Sequence, residues 1–314
     1  MNVRNQLWMA AVCASVTATS YGLPAIGNAQ AGSPQPVAGT TNALRDSIAD
    51  RIAAIPGATV GVAYVDLATG ERLSLSADTA MHAASTMKIP VMIEVLRRAQ
   101  HGSFTLDQGI LLINQFKSLA DGSPFSMIAK DDGDSTLYSR IGERVPVREL
   151  LRLMIVRSSN FATNQLIELV GAARVTAGAH ELGATRTQVL RGVEDQKAFD
   201  AGLINTITAA DLATLLVAIE NGQVLSPESS ALMRDILLAQ EFNDKIPAGL
   251  PPGTRVAHKT GEITAVSHDA AIVYPTGRRP YVLVVLTRGI RDGKQSAALI
   301  ADISRLVYAH ATGH

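Results

Sequence analysis

The most informative shortage in this chain is cysteine, because its 314 residues include only Cys13. No intramolecular disulfide can form from a single cysteine, and any thiol chemistry would have to use this one side chain. Cys13 also lies in an N-terminal segment typical of an export signal, and the residues before it, Ala10 to Val12, fit a lipid-attachment site poorly. If that segment is cleaved, the remaining protein has no thiol and no disulfide.

The sequence also lacks an excess of charge of either sign. Its 28 basic and 28 acidic residues give a formal net charge of zero. A nucleic-acid-binding protein usually shows a strong basic footprint, so we expect no nucleic-acid partner. There is no internal repeat and no long low-complexity tract, and the length allows a large core in one or two domains.

Residues 1–31 have the parts of a signal peptide. Arg4 supplies the positive start, Leu7 to Thr17 is mostly apolar but too short to span a bilayer, and Ala29-Gln30-Ala31 has the small-x-small cleavage pattern. The alternative is an uncleaved membrane anchor, but no long apolar run follows. We therefore predict a periplasmic or secreted protein without stable membrane association, with a linker over 32–41.

Hydrophobic periodicity predicts strands near both ends of the chain and helices between them. Hairpins join the strands, so they most simply form one antiparallel sheet. A discontinuous α/β domain over 42–86 and 226–314 would then carry an all-helical domain over 87–225, with a cleft at the junction. The predicted helices cover 42–55, 85–100, 147–156, 161–170, 172–182, 209–220, 227–240 and 294–308, and the strands 59–76 (a hairpin), 254–259, 267–274 and 281–287.

Ser85 and Lys88 form the only Ser-x-x-Lys in the chain. Positions i and i+3 of a helix share a face, so the amine can lie near the hydroxyl and take its proton. At a helix N-terminus, the N–H of Ser85 and the helix dipole would also stabilise a developing oxyanion. The alternative is a helix N-cap followed by a solvated lysine.

Lys259-Thr260-Gly261 ends a predicted strand. A lysine and a hydroxyl on a strand edge can bind a carboxylate, and glycine lets the backbone approach a ligand closely. The N–H of Glu262 would be a second donor to an oxyanion. The alternative is an ordinary strand end with a solvated lysine.

Ser158 and Asn160 follow the end of a predicted helix. A second hydroxyl near Lys259 could pass a proton to a leaving nitrogen, and the Asn160 amide could bind a substrate amide. Serine and asparagine are also common at plain polar helix junctions, which is the alternative.

Together, and in this order, the three segments resemble the signature set of penicillin-binding serine enzymes and class A β-lactamases. The resemblance covers the chain beyond the linker. It implies that Ser85 is the acylated nucleophile and that Lys88 belongs to its activating machinery. It also implies that Ser158 relays a proton to the lactam nitrogen, while Lys259 and Thr260 hold the substrate carboxylate.

The resemblance also implies a fold and a substrate class. The expected fold is α+β, a three-layer α/β/α arrangement of a five-stranded antiparallel sheet and helices plus the all-helical domain. The expected partner is a small-molecule β-lactam, and we expect a monomer that needs no cofactor and no metal.

Glu194 lies 194 − 158 = 36 residues after Ser158, where class A enzymes carry a loop glutamate that drives water onto the acyl-enzyme. A buried glutamate beside the lysine would suit that task. The loop would be anchored by Arg191 and would close near 205–208. Asp195 is an alternative base, and a surface Glu-Asp pair in a polar loop is the alternative to both.

Three positions depart from the family pattern. Ser159 stands where the middle residue is usually aspartate, and we expect it to be buried. Ala198 stands four residues after Glu194, where an asparagine commonly helps to hold the water. His268 stands where many relatives carry an arginine for the substrate carboxylate.

The segment 114–144 looks longer than its family counterpart. It contains an acidic run, Asp131 to Asp134, which could bind a cation but fits a solvated loop better.

Other chemistries find less support. The chain has no Gly-x-Ser-x-Gly, Walker or His-Glu-x-x-His motif. His268 and Asp269 are adjacent on a strand, so they point to opposite faces and cannot act in series on one serine. We expect a serine β-lactamase acting on penicillins and cephalosporins. The remaining alternatives are a D-Ala-D-Ala peptidase or esterase of the same fold, and a penicillin-binding sensor that does not turn over.

Overall fold

The computed structural model describes residues 38–313, with side chains from residue 41 onward. The predicted signal peptide, Cys13 and most of the predicted linker lie outside the described residues. The helices are α1 Ala38–Ala53, α2 Lys88–Gln100, α3 Val147–Val156, α4 Asn160–Val170, α5 Ala172–Glu181, α6 Gln196–Asp200, α7 Ala209–Glu220, α8 Pro227–Leu238 and α9 Gly293–Thr312. The strands are β1 Thr59–Asp66, β2 Arg72–Leu75, β3 Met81–His82, β4 Gly109–Leu111, β5 Phe116–Lys117, β6 Pro124–Phe125, β7 Arg144–Pro146, β8 Thr206–Ile207, β9 Arg255–Ile263, β10 Val266–Tyr274 and β11 Tyr281–Arg288.

Five strands form one sheet in the order β2-β1-β11-β10-β9, and every neighbouring pair is antiparallel. The predicted antiparallel sheet is therefore confirmed. Strand β11 lies at its centre and is buried along all but its last residue. Strand β9 forms an edge, which leaves its C-terminal end next to the helical part of the molecule.

The sheet is covered on both faces, because successive side chains of a strand point to opposite sides. In β1, Val62 and Tyr64 pack into a core with α1 and α9, whereas Ala63 and Val65 pack into a core with α2, α3, α4 and α7. This is the predicted three-layer α/β/α arrangement. Since the second core runs from the sheet into the helices without a break, the division into two domains stays a prediction.

The backbone at Ser85 differs slightly from the predicted helix. Ser85 lies in a single 3-10 turn over Ala84–Met87, and the α-helix itself begins at Lys88. The Thr86 hydroxyl donates to the carbonyl of Ala83 at 2.6 Å and fixes the turn. Residues i and i+3 still lie on one face in a 3-10 turn, but Lys88 Nζ donates its hydrogen bonds to Ser158 and Asn160 and not to the Ser85 hydroxyl.

The long segment 114–144 contains a short hairpin, β5–β6, and two 3-10 turns over Ala129–Asp131 and Thr136–Arg140. No helix within the described part of the chain is both long and apolar enough to cross a membrane.

Candidate active site

A cleft lies between the end of β9, the Ser85 turn and the start of α4. It has two cavities of about 410 and 550 Å³, and both are lined by Ser85, Asn160 and Glu262. Glu194 lines the smaller cavity, and Ser158, Thr260 and Gly261 line the larger one. The structure therefore brings the segments singled out in the sequence to one place.

Backbone strain is concentrated around this cleft. Ala84, Ser158 and Glu194 have φ angles of 45°, 57° and 62°, in the left-handed region that residues other than glycine rarely adopt. Such conformations cost about 1–3 kcal/mol each and persist where the surroundings enforce them, often at functional sites. All three flank or carry a predicted catalytic side chain.

Lys88 is fully buried behind Ser85 and is held by three hydrogen bonds. Its Nζ donates to the carbonyl of Ser158 at 2.7 Å, to the Ser158 hydroxyl at 3.1 Å and to Asn160 Oδ1 at 2.9 Å. Burial lowers the pKa of Lys88 to about 7, although the charges of Asp132 and Glu194 oppose that shift. A lysine with this pKa is partly neutral near neutral pH and can act as a base.

Lys259 is the second buried amine of the cleft. Its Nζ donates to the Ser158 hydroxyl at 3.1 Å and to the carbonyl of Thr260 at 2.9 Å. Burial, and then the nearby charge of Lys88, hold the pKa of Lys259 well below its usual value. The Ser158 hydroxyl thus connects two amines and is placed to pass a proton along the cleft.

Gly261 brings the strand edge into backbone contact with the nucleophile turn. A Cβ atom at this position would lie 3.0 Å from the backbone nitrogens of both Ser85 and Thr86. Only glycine fits there without displacing one of the two segments. Glu262 follows at once and lines both cavities together with Ser85.

Glu194 is connected to Lys88 through one side chain. Asn160 donates from Nδ2 to Glu194 Oε1 at 2.9 Å, while its Oδ1 accepts from Lys88. However, the Glu194 side chain is exposed, so the expectation that it is buried was wrong. The loop places it at the open mouth of the cleft, in the cavity that Ser85 also lines.

The surroundings make the Glu194 carboxylate a stronger base than usual. Partial desolvation raises its pKa first, and the negative charges of Asp132 and Asp131 raise it further. Lys88 and Arg191 act in the opposite direction but do not cancel the shift.

Asp195, the alternative base, is already engaged. It is buried, and its carboxylate accepts from the Ser118 hydroxyl at 2.7 Å, from Leu119 N at 2.8 Å and from Ala198 N at 3.1 Å. Burial alone would raise the pKa of Asp195, but these donors hold it below its usual value. The geometry therefore favours Glu194 over Asp195 as the base.

The loop that carries Glu194 is closed at its base by side-chain hydrogen bonds. Arg191 donates from Nε to the carbonyl of Leu203 at 2.8 Å, and Asn205 Oδ1 accepts from the N–H groups of Leu190 and Arg191. Ala198 is fully buried in α6. The loop thus begins and ends near the residues predicted from the sequence.

His268 does not reach the cleft. It is fully buried, and its ring nitrogens lie 2.9 Å from the carbonyl of His82 and 2.8 Å from that of Ser267. Burial lowers the pKa of His268 to about 4, so the ring is neutral at physiological pH. His268 therefore provides no charge for a substrate carboxylate.

Lys245 is a cleft residue that sequence reasoning missed. Its side chain is only 2% exposed, lines the larger cavity and forms ion pairs with Glu262 at 2.7 Å and Asp244 at 3.2 Å. Burial alone would lower the pKa of Lys245, but the contact with Glu262 and the charge of Asp244 raise it above the usual value. No motif surrounds this residue, so only the folded chain identifies it.

The acidic run at 131–134 is only partly the solvated loop expected from the sequence, because Asp131 is exposed but Asp132 and Asp134 are bonded to protein groups. Asp132 accepts hydrogen bonds from the backbone of α4, and Asp134 is buried against Arg157. Over residues 38–313, no group of three or more acidic, histidine or cysteine side chains is arranged to hold a metal ion.

Comparisons with known proteins agree with this geometry. The model of the beta-lactamase enzyme family matches residues 43–311. Beta-lactamase AST-1 of Nocardia asteroides is 31% identical over 273 residues, which cover 85% of this chain and 84% of the relative. The structure of PBP-A superposes with a TM-score of 0.74 at 28% identity, covering 87% of this chain and 97% of PBP-A.

An ancestral class A β-lactamase superposes with a TM-score of 0.73 at 29% identity, covering 84% of this chain and 98% of the other. The resemblance inferred from the three motifs and the predicted class A fold are thus confirmed. The chain belongs to the β-lactamase enzyme family.

Proposed function

We propose that this protein is an exported serine β-lactamase, which hydrolyses penicillins and cephalosporins through an acyl-enzyme on Ser85. The observation that carries the proposal is a continuous chain of hydrogen bonds beside Ser85. The chain runs through Lys259, Ser158, Lys88, Asn160 and Glu194.

In the acylation step, the Ser85 oxygen attacks the lactam carbonyl carbon. The new C–O bond forms, the ring C–N bond breaks, and the N–H groups of Ser85 and Glu262 stabilise the oxyanion. Neutral Lys88 accepts the Ser85 proton and passes a proton to Ser158 as the Ser158 hydroxyl delivers its own proton to the departing nitrogen. The lowered pKa of Lys88 supports its part as the base.

In the deacylation step, the Glu194 carboxylate removes a proton from a water molecule as that water attacks the ester carbonyl. The ester C–O bond breaks, and the proton that Glu194 took from the water passes to the Ser85 oxygen, which restores the Glu194 carboxylate. The raised pKa of Glu194 and its hydrogen bond from Asn160 support this role. Because the base must be ionised, hydrolysis should slow as the pH falls through this pKa.

We further propose that the substrate carboxylate binds in the larger cavity. Thr260 offers a hydroxyl there, Lys259 offers an amine, and Lys245 supplies positive potential from a buried position. Asn160 lines both cavities and is placed to bind the substrate amide.

Purified protein without residues 1–31 should turn over a chromogenic cephalosporin and a penicillin many times. Glu194→Gln should be acylated at a rate close to wild type but should accumulate the adduct on Ser85, which intact-protein mass spectrometry detects. Glu168→Gln changes an exposed glutamate on α4 in the same way and should behave like the wild type. A Glu194→Gln variant that turns over normally would overturn the role of Glu194.

The exposure of Glu194 and the alanine at 198 also favour enzymes of this fold that release the acyl group slowly. These are a D-Ala-D-Ala peptidase and a penicillin-binding sensor. The similarity to PBP-A, a variant of which was solved as an acyl-enzyme with penicillin G, is consistent with these candidates. Cleavage of a D-Ala-D-Ala peptide with little lactam turnover would support the peptidase. A stable Ser85 adduct in the wild type would support the sensor.

A further inference from the structure

The N-terminal end of α4 is held by an acid from a distant part of the chain. Ser159, in place of the usual aspartate, caps α4 by accepting from Ala162 N at 3.2 Å. The first two N–H groups of α4, those of Asn160 and Phe161, donate to the two carboxylate oxygens of Asp132 at 2.7 and 2.8 Å. Asp132 also accepts from the Tyr138 hydroxyl at 2.8 Å.

The residues after Asp132 support the strained turn that carries Ser158. Gly133 lies so close to this turn that a Cβ atom would be 2.5 Å from the carbonyl of Arg157 and 3.3 Å from that of Ser158. Asp134 is buried and pairs with Arg157 at 3.4 Å. Thus 132–134 contacts the backbone on both sides of Ser158.

We propose that Asp132 is a positioning residue for the reaction, which fixes the backbone of Asn160 and thereby the side-chain amide that joins Lys88 to Glu194. This inference rests on the proposed function of Ser85 and Lys88 but not on lactam turnover. The amide has little freedom, because its oxygen accepts from Lys88 and its nitrogen donates to Glu194. A shift of the α4 start would move the amide away from both partners.

The charge of Asp132 also acts on Lys88. The acids that face Lys88 are Asp132 and Glu194, and both raise its pKa against the effect of burial. Lys259 is the buried amine on the other side of Ser158. Removing the charge of Asp132 should therefore lower the pKa of Lys88 and move the acidic limb of the pH–rate profile, where acylation slows because Lys88 is protonated, to lower pH. Loss of a helix cap alone would not move this limb.

The test measures acylation of Ser85 by a fluorescent penicillin between pH 5 and 9, with Asp132→Asn, Asp132→Glu and Asp50→Asn. Asp132→Asn removes the charge and one acceptor, and should lower the plateau rate about tenfold while moving the limb to lower pH. Asp132→Glu keeps the charge but misplaces the oxygens, so it should lower the plateau and leave the limb unchanged. Asp50→Asn is the matched control and should match the wild type, because the Asp50 carboxylate is exposed on α1, which packs with α9 on the face of the sheet away from α2 and α4.

A plateau rate and a pH dependence in Asp132→Asn that match the wild type would overturn the proposal, and so would equal changes in Asp50→Asn. Should Asp132→Asn fail to fold, the outcome of Asp132→Glu decides by itself whether the geometry matters. Since the readout is adduct formation, a wild type that is labelled but never released would refute the β-lactamase and leave this test intact.

Discussion

At the scale of single residues, Glu262 combines two opposed properties. Its N–H is the second proposed oxyanion donor, but its carboxylate pairs at 2.7 Å with Lys245, a buried cation of the proposed carboxylate site. An anionic substrate must therefore compete with the protein's own acid. Because the Glu262 side chain is 57% exposed, it can turn away when a substrate enters, at the cost of losing the ion pair.

Glu262→Gln should consequently increase the second-order acylation rate with penicillin G, by roughly threefold to tenfold, since the competing charge is gone. The methyl ester of the same penicillin has no carboxylate and should show no gain. The measurement is kcat/KM, or the acylation rate constant, for both compounds. An equal change for acid and ester would contradict this account of Glu262.

Gly261 also determines the geometry of the site, because it has no side chain. Gly261→Ala should slow acylation by at least about tenfold, because the added methyl group forces the strand edge away from the N–H of Ser85. Gly293→Ala is the control, since a Cβ atom there meets nothing within 4 Å. Stopped-flow acylation of both variants tests this, and a Gly261→Ala protein as fast as the control would refute the required close approach.

At the scale of elements, the hairpin β5–β6 braces the loop that carries Glu194. The Ser118 hydroxyl and the N–H of Leu119 both donate to Asp195, the residue after Glu194. Lys197 donates from the loop to Asp121 at 2.9 Å and to Ser123 at 2.6 Å. The first part of the long segment 114–144 thus supports the loop that carries Glu194.

Ser118→Ala should therefore slow deacylation more than acylation. Loss of one hydrogen bond to a carboxylate costs about 1.5–3 kcal/mol at most, and we expect part of it to appear as a roughly fivefold slower release. Ser139→Ala, at an exposed serine of the second 3-10 turn, should change neither step. Pre-steady-state kinetics separate the two steps. Equal slowing of both would mean that the hairpin supports the whole cleft rather than the loop.

At the scale of the whole molecule, local patterns predicted most of the fold. Helices α3 and α7 were predicted with the bounds observed, because their apolar spacing is strong and uninterrupted. The antiparallel sheet followed from hairpins and β-branched runs. The order of Ser85, Ser158 and Lys259 along the chain was enough to predict that they share a cleft.

The parts that sequence reasoning missed depend on contacts between distant segments. Lys245 and Asp132 stand in no motif and gain their roles only from what packs against them. The exposure of Glu194 and the burial of Asp195 are set by the hairpin, since two adjacent acids in a loop have no intrinsic inward direction. Periodicity reports which face of an element is buried, and loops carry no such signal.

Two fully buried lysines also affect the stability of the molecule as a whole. Lys88 has a pKa of about 7 in the folded protein against 10.5 as its ordinary value, and the pKa of Lys259 is lowered well below its ordinary value. At pH values between the folded and the ordinary pKa of each lysine, the unfolded chain binds more protons than the folded one. The free energy of unfolding should therefore rise with pH above about 7, and each lysine can contribute at most about 1.4 kcal/mol per pH unit.

Urea unfolding followed by circular dichroism between pH 7.5 and 9.5 measures this slope. Lys88→Met should be more stable than the wild type at pH 7.5 and should show a smaller slope, because the burial of one titrating amine has been removed. Lys117→Met changes an exposed lysine and should keep the wild-type slope. A wild-type stability that is flat or falls over this range would mean that both amines stay protonated in the folded protein, and Lys88 would then not be available as a base.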